Sequence, residues 1–228
     1  MATLKHITFT GVDSRTDISE LLRIRDKYPL VEFGVLLSEK WAENGNRYFN
    51  PDDFYKLTKL GLRLSGHLCG SLARETIKDG FNRLEEFCSG YLEIFQRVQL
   101  NIAPYRNIVD KISFDYVPQT LDEIIIQQRK PNDCELFMKS ELPHYCSMLL
   151  DASGGRGIDT EVLTMKSDYK IGYAGGFNPE NTAKKLEYLL NDENVGDFWI
   201  DMESGVRTDD WFDTKKIEQV LDSINHLI

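Results

Sequence analysis

Short apolar runs alternate along the chain with polar stretches whose hydrophobic residues recur at helical spacing. The runs are His6–Val12, Val31–Leu37, Leu62–Leu68, Arg97–Ile102, Glu123–Gln127, Cys146–Asp151, Lys170–Ala174 and Asp197–Met202. Their starts lie 23 to 35 residues apart, near the roughly 30 residues of one βα unit. Strands that alternate with helix-length segments specify a parallel sheet. Several runs are nearly continuously apolar, as expected of strands covered on both faces. The helices carry signals of their own. Asn50 before Pro51 and Asn178 before Pro179 are caps followed by a first-turn proline. They predict helices over Pro51–Leu60 and from Asn178 onward, where Ala183, Leu186, Leu189 and Leu190 share a face. Phe81–Phe95 aligns Leu84, Phe87, Cys88 and Tyr91, and Asp213–Leu227 aligns Ile217, Val220, Leu221 and Ile224. The fifth run is the least distinct, because Ile124–Ile126 also suits a short buried helix.

Eight units in 228 residues give 228/8 = 28.5 residues each. No Pro/Gly/Ser-rich linker marks a boundary. The expected fold is therefore α/β, a (β/α)8 TIM barrel, with residues 1–228 as a single domain; an open doubly wound sheet is the alternative. Composition narrows the function classes. With 41% hydrophobic and 28% charged residues the chain can bury a core and is no disorder candidate. The net charge of 27 − 37 = −10 argues against nucleic acid or anionic membrane as partner, while leaving room for a local basic pocket. No apolar run approaches the ~20 residues of a membrane span, and Met1–His6 lacks a signal-peptide core. Cys69, Cys88, Cys134 and Cys146 form no CxxC pair and no metal-ligand spacing, so they read as reduced thiols of a cytoplasmic protein. No metal or cofactor is expected, and the chain is taken as a monomer or homodimer.

In such a barrel, function gathers at the C-terminal ends of the strands. Asp151 ends the sixth run and leads into Gly154-Gly155-Arg156-Gly157, a carboxylate at the mouth followed by backbone that lets a ligand approach closely. After the seventh run come Gly175 and Gly176, and after the eighth Ser204 and Gly205. Glycine loops before a helix start offer N–H groups to phosphate, and the loops after strands 7 and 8 are the usual phosphate site of this fold. Gly155, Gly157, Gly175, Gly176, Ser204 and Gly205 are thus candidate phosphate binders. Arg47, in Asn46-Arg47-Tyr48-Phe49-Asn50-Pro51, has the planar fork that pairs with a carboxylate or phosphate. Each of these features has an ordinary structural reading as a turn glycine or a solvated arginine; their combination points to a phosphorylated small-molecule substrate.

Taken in order, these segments resemble the phosphoribosylanthranilate isomerase family, (β/α)8 enzymes of tryptophan biosynthesis. Phe33–Leu37 followed by Asn46–Pro51 is similar to the family's second strand and its arginine segment. Arg97-Val98-Gln99-Leu100 is similar to the fourth strand, with Asn101-Ile102 in place of His-Gly. Leu149-Leu150-Asp151 with its glycines is similar to the sixth strand, and Ala174–Asn181 is the most specific match. Asp201–Val206 is similar to the eighth, with Glu203 in place of a serine. The resemblance implies an aldose-to-ketose Amadori rearrangement. An acid, matched by Asp151, protonates the ribose ring oxygen, and a base then takes the proton from C2. The family's base is a cysteine ending the first strand. Thr10, in Thr10-Gly11-Val12, stands at that place, and a threonine hydroxyl is a very poor base near neutral pH.

Asp13, Glu39, Cys69, His67 and Glu203 are other groups near the mouth by position. Cys69 and His67 also read as a buried small hydrophobe and a structural histidine. Asp13, His67, Gln99 and Arg47 are taken as substrate-binding candidates. Three functions follow: an isomerase of the phosphoribosylanthranilate type, a different phosphosugar enzyme such as an epimerase or lyase, or a non-catalytic phosphosugar-binding protein.

Overall fold

The computed structural model describes residues 2–41, 43, 47–102, 112–114, 117–131 and 142–228. Asn46 and Cys134 lie outside the described residues. Eight parallel strands, β1 (Thr3–Thr10), β2 (Val31–Leu37), β3 (Leu64–Leu68), β4 (Arg97–Leu100), β5 (Glu123–Gln128), β6 (Cys146–Asp151), β7 (Ile171–Ala174) and β8 (Asp197–Met202), form a closed barrel. Each strand pairs with the next, and β8 returns to β1 with Thr8 beside Asp201 and Phe9 beside Met202. That closing pair excludes the open sheet. The fifth run is a strand: Ile124 and Ile126 pair with Val98 and Leu100 on one side and with Cys146 and Met148 on the other. Its β-branched residues suit a pleated surface covered on both faces.

The expectation of continuously apolar strands needs correction. Polar residues occupy alternate positions and point into the barrel, as their contacts with non-adjacent strands show. Arg97 on β4 reaches Glu32 on β2 at 2.9 Å, and its guanidinium carbon lies 4.4 Å from the Trp199 ring on β8. His67 on β3 lies 4.0 Å from Asp201 on β8. The outward positions, among them Ile7, Phe9, Phe33, Val98, Phe198 and Ile200, pack against the helices in one large core. Inside the barrel Ile125, Leu149 and Trp199, with Ala174 against them, form a separate apolar cluster. Gly172 lies beside Trp199 in register, and a β-carbon there would overlap the indole.

The helices differ from expectation at their starts. α1 (Ile18–Lys27) is capped by Asp17, whose side chain accepts from the Ser19 amide, and buries Leu21 and Ile24. After α2 (Gly70–Asp79) comes α3 (Asn82–Phe87). The single helix expected over Phe81–Phe95 breaks there, because Ser89 and Gly90 adopt positive φ of 51° and 83°. The Pro51 segment is a 3-10 helix, Pro51–Leu57, with Asn50 accepting from the Asp52 amide. α4 (Thr182–Asn191) starts four residues after Asn178. Asn178 instead closes a turn by accepting from the Glu180 and Asn181 amides at 3.0 Å each. α5 (Thr214–Ile224) follows the sequence pattern: Asp213 caps it and Ile217, Val220, Leu221 and Ile224 are buried. A two-strand hairpin, β9 (Arg207–Thr208) and β10 (Trp211–Phe212), precedes it. Asp209 and Asp210 at φ 49° and 66° make the left-handed two-residue turn that matches strand twist.

Candidate active site

A cavity of about 570 Å³ opens at the C-terminal ends of the strands, within the range of small-molecule sites. Thr10, Arg47, His67, Gln99, Asp151, Gly155, Gly157, Gly175, Gly176, Ser204 and Gly205 all line it. Of the candidate catalytic, substrate-binding and phosphate-binding residues, Asp13 alone falls outside this lining; Glu39, the other mouth carboxylate named from position, also lies outside it. Asp13 is buried, but its carboxylate is committed to the scaffold. It accepts from the Arg15 amide and the Thr16 hydroxyl through Oδ1 and from the Phe212 amide through Oδ2. It fastens the loop after β1 to the β9–β10 hairpin and does not line the cavity.

The three glycine loops interlock. A β-carbon on Gly157 would overlap the Ser204 side chain, one on Gly176 the backbone at Ile158, and one on Gly205 the carbonyl of Phe177. Gly175 and Gly176 also hold positive φ of 131° and 68°, where side-chain-bearing residues are strained. The loops therefore approach each other as closely as backbone allows. Two of their N–H groups already have partners: the Gly155 amide donates to Asp151 Oδ2 and the Gly157 amide to the Ser153 hydroxyl. Lys185 on α4 donates to the Gly175 carbonyl at 2.7 Å and braces the loop after β7 from behind. Arg156 turns back on its own loop, with Nε donating to the Ser153 carbonyl.

Asp151 ends β6 inside the cavity. Its carboxylate accepts from the Gln127 amide group (2.9 Å), from the Ser153 hydroxyl (2.7 Å) and amide (3.0 Å), and from the Gly155 amide. These donors fix the orientation of the carboxyl. Arg47 is also held: Nη2 meets Glu203 Oε1 at 2.6 Å and Nη1 lies 3.6 Å from Asp210. Gln99 donates to Asn101 at 2.8 Å, and Asn101 donates to the Cys69 sulfur. Burial pushes the Cys69 thiol up to about 12, so it is no base at neutral pH. His67 is buried, its Nε2 lies 3.0 Å from the Ser65 hydroxyl, and burial pulls the imidazole down to about 4. It is a neutral ring at pH 7, and its approach to Asp201 is no ion pair. Glu39 pairs with Arg83 and Ser71 and does not line the cavity.

Nothing in the local sequence assigns Asp201 a role. It ends β8 as Asp151 ends β6, is 6% exposed, and lines the same cavity. The Thr10 hydroxyl donates to its Oδ1 at 2.7 Å. Gly34 on β2 leaves room for that contact, because a β-carbon there would overlap Thr10 Oγ1. Burial pushes the Asp201 carboxyl up to about 7; Glu203 and Asp151 add to the shift and the Thr10 hydrogen bond opposes it. The available signal was the alternation along β8, which puts Trp199 and Asp201 on the inward face. Among the described residues no group of three His, Cys, Asp or Glu is placed to hold a metal ion, and no helix is long and apolar enough to cross a membrane.

Comparison with known proteins agrees with the closed barrel. The family model described as N-(5'phosphoribosyl)anthranilate (PRA) isomerase matches residues 115–223. No curated protein matches the chain. Among solved structures, phosphoribosyl anthranilate isomerase from Thermococcus kodakaraensis aligns over 97% of this chain and 99% of its own, at 14% identity and a TM-score of 0.57. N-(5'-phosphoribosyl)anthranilate isomerase from Pyrococcus furiosus aligns over 97% and 98%, at 16% identity and a TM-score of 0.56. The chain thus shares the barrel fold of phosphoribosyl anthranilate isomerases along nearly its whole length, and carries that family's sequence pattern over residues 115–223.

Proposed function

We propose that the protein is an aldose–ketose isomerase of the phosphoribosylanthranilate isomerase type, acting on a phosphorylated aminosugar. The observation that carries this reading is the placement of Asp151 in one cavity with the interlocked glycine loops after β6, β7 and β8. Backbone N–H groups of Gly175, Gly176, Ser204 and Gly205 cradle the phosphate. They act as fixed dipoles that a desolvated dianion needs. With the phosphate anchored there, the sugar extends across the mouth toward Asp151. Asp151 delivers a proton to the ring oxygen, and the C1–O bond opens as the nitrogen lone pair forms the C1=N bond. Gln127 and Ser153 hold the carboxyl in position for that transfer.

The test is turnover of N-(5'-phosphoribosyl)anthranilate, followed by the fluorescence of its anthranilate group. The wild-type protein is expected to form the aminoketose. Asp151→Ala is expected to lower kcat by about 10²- to 10⁴-fold, the usual contribution of a positioned acid, with inorganic phosphate still bound. Absence of turnover by the wild-type protein, with phosphate affinity retained, would leave a binding protein.

One observation favours the second reading, a different phosphosugar enzyme on the same scaffold. The Arg47 fork is already engaged by Glu203 and Asp210, so a substrate carboxylate must displace an internal one. This pair is part-exposed and contributes about 1 kcal/mol. Glu203→Gln is therefore expected to lower KM for a carboxylate-bearing substrate about fivefold, with kcat within twofold. An unchanged KM would place Arg47 outside the substrate subsite.

A further inference from the structure

Moving hydrogen from C2 to C1 of an aminosugar needs a second group, one that takes a proton from carbon at working pH. The mouth of the barrel offers few. The Thr10 hydroxyl is a donor to Asp201, and its own proton is lost only far above neutral pH. The Cys69 thiol stays protonated. The His67 ring is a weak base with Nε2 beside Ser65. Glu203 is engaged by Arg47, and Arg207 Nε lies 3.7 Å from it. Asp151 accepts from four donors of its own loop and β5.

Asp201 differs from all of these. Its carboxyl sits at the inward end of β8, buried and lining the cavity, with Thr10 Oγ1 fixing Oδ1. That hydrogen bond carries Asp201 to the end of β1, so a carboxylate from β8 serves the place where the chain itself has only a hydroxyl. The groups facing it are Thr10 from β1, Glu32 deeper on β2, His67 from β3, Asp151 from β6 and Glu203 two residues on.

We propose that Asp201 is the base that takes the C2 proton, with Thr10 as its positioning residue. The proposal rests on the isomerase reading above. After Asp151 has protonated the ring oxygen, the substrate is an open-chain C1=N iminium and Asp151 is a carboxylate. Asp201 removes H–C2, the C2–H electron pair becomes the C1=C2 bond, and the C=N electrons return to nitrogen, giving a neutral enol-amine. Asp201 then gives its proton to C1 while the C2 hydroxyl proton passes to Asp151 and C2=O forms. Both carboxyls return to their starting states and no other reactant is consumed. Burial that keeps this carboxyl near 7 suits it, because a base works best with a pKa close to the working pH.

The experiment is the pH profile of kcat/KM for N-(5'-phosphoribosyl)anthranilate with wild type, Asp201→Asn and Asp201→Glu, together with the affinity of each for inorganic phosphate. The wild-type profile is expected to rise through a midpoint of about 7. Asp201→Asn is expected to lose about 10³-fold in kcat, with KM and phosphate affinity within threefold and the rising limb gone. Asp201→Glu, which keeps the carboxylate but displaces it, is expected to regain part of the rate. A rate for Asp201→Asn within tenfold of wild type, or the same rising limb in that variant, would overturn the proposal and leave the isomerase reading standing. A wild-type protein that binds phosphate but shows no turnover would overturn both.

Discussion

Replacing Arg97 by leucine is expected to destabilise the barrel by about 3–5 kcal/mol, the usual consequence of breaking a buried ion pair from one side. Arg97 holds Glu32 at 2.9 Å and Glu123 at 3.0 Å from inside the barrel. Glu32 is fully buried. Burial alone would raise its carboxyl, and the Arg97 charge overcomes that and holds it below the usual value. Without the guanidinium the same carboxylate is an unpaired charge, and the space over Trp199 empties. Urea unfolding at pH 7 measures the deficit. It should narrow as the pH falls toward 5, because Glu32 then takes up a proton and the cost of its charge disappears. Glu32→Gln in the Arg97→Leu background should recover much of the loss, since a hydrophobic or neutral replacement of a whole buried pair is often close to neutral. A deficit below 1 kcal/mol for Arg97→Leu would show that the network is not a determinant of stability.

Asp201→Asn is expected to do the opposite, raising stability at pH 8 by about 3 kcal/mol while it removes activity. The folded state holds this carboxyl near 7, well above the ordinary aspartate range. Between those values the folded protein binds a proton that the unfolded chain has lost. The stabilising contribution is therefore complete below about pH 4 and is lost as the pH rises through 7. Raising the carboxyl that far corresponds to ~4 kcal/mol at most, and neighbouring carboxyls that share the charge reduce it. Asparagine keeps the shape and can still accept from Thr10, with no charge to bury. Thermal unfolding should give a Tm gain of about 8 °C at pH 8 that vanishes at pH 4. Equal stability of the two proteins at pH 8 would mean that water reaches Asp201 freely. A costly charge kept at a cavity wall is the pattern of a functional group, not of a packing one.

Much of this molecule is readable from the order of its residues. The eight strands follow from eight apolar runs at βα spacing, and α5 from the Asp213 cap and its stripe of Ile217, Val220, Leu221 and Ile224. Local signals failed where two of them competed. Asn178-Pro179 looks like a helix start, yet its side chain satisfies the Glu180 and Asn181 amides as a turn, and the helix begins at Thr182. The pattern over Phe81–Phe95 is helical in spacing but is interrupted at Ser89 and Gly90 by positive φ. Its position in the chain puts Asp13 near the mouth, but the hairpin at Phe212, nearly two hundred residues away, takes its carboxylate.

The eight barrel strands, and the glycine loops and Asp151 that follow them, are thus legible in the chain, because strand spacing and turn chemistry are local properties. Barrel closure decided the rest. Only the pairing of β8 with β1 brings Thr10 onto Asp201. Only contact across the mouth joins Arg47 to Glu203, and only a filled lumen sets Arg97 between Glu32 and Glu123. The charge state of a carboxyl depends on how much water and which charges surround it. Those surroundings come from strands far apart in the chain, which no local pattern records.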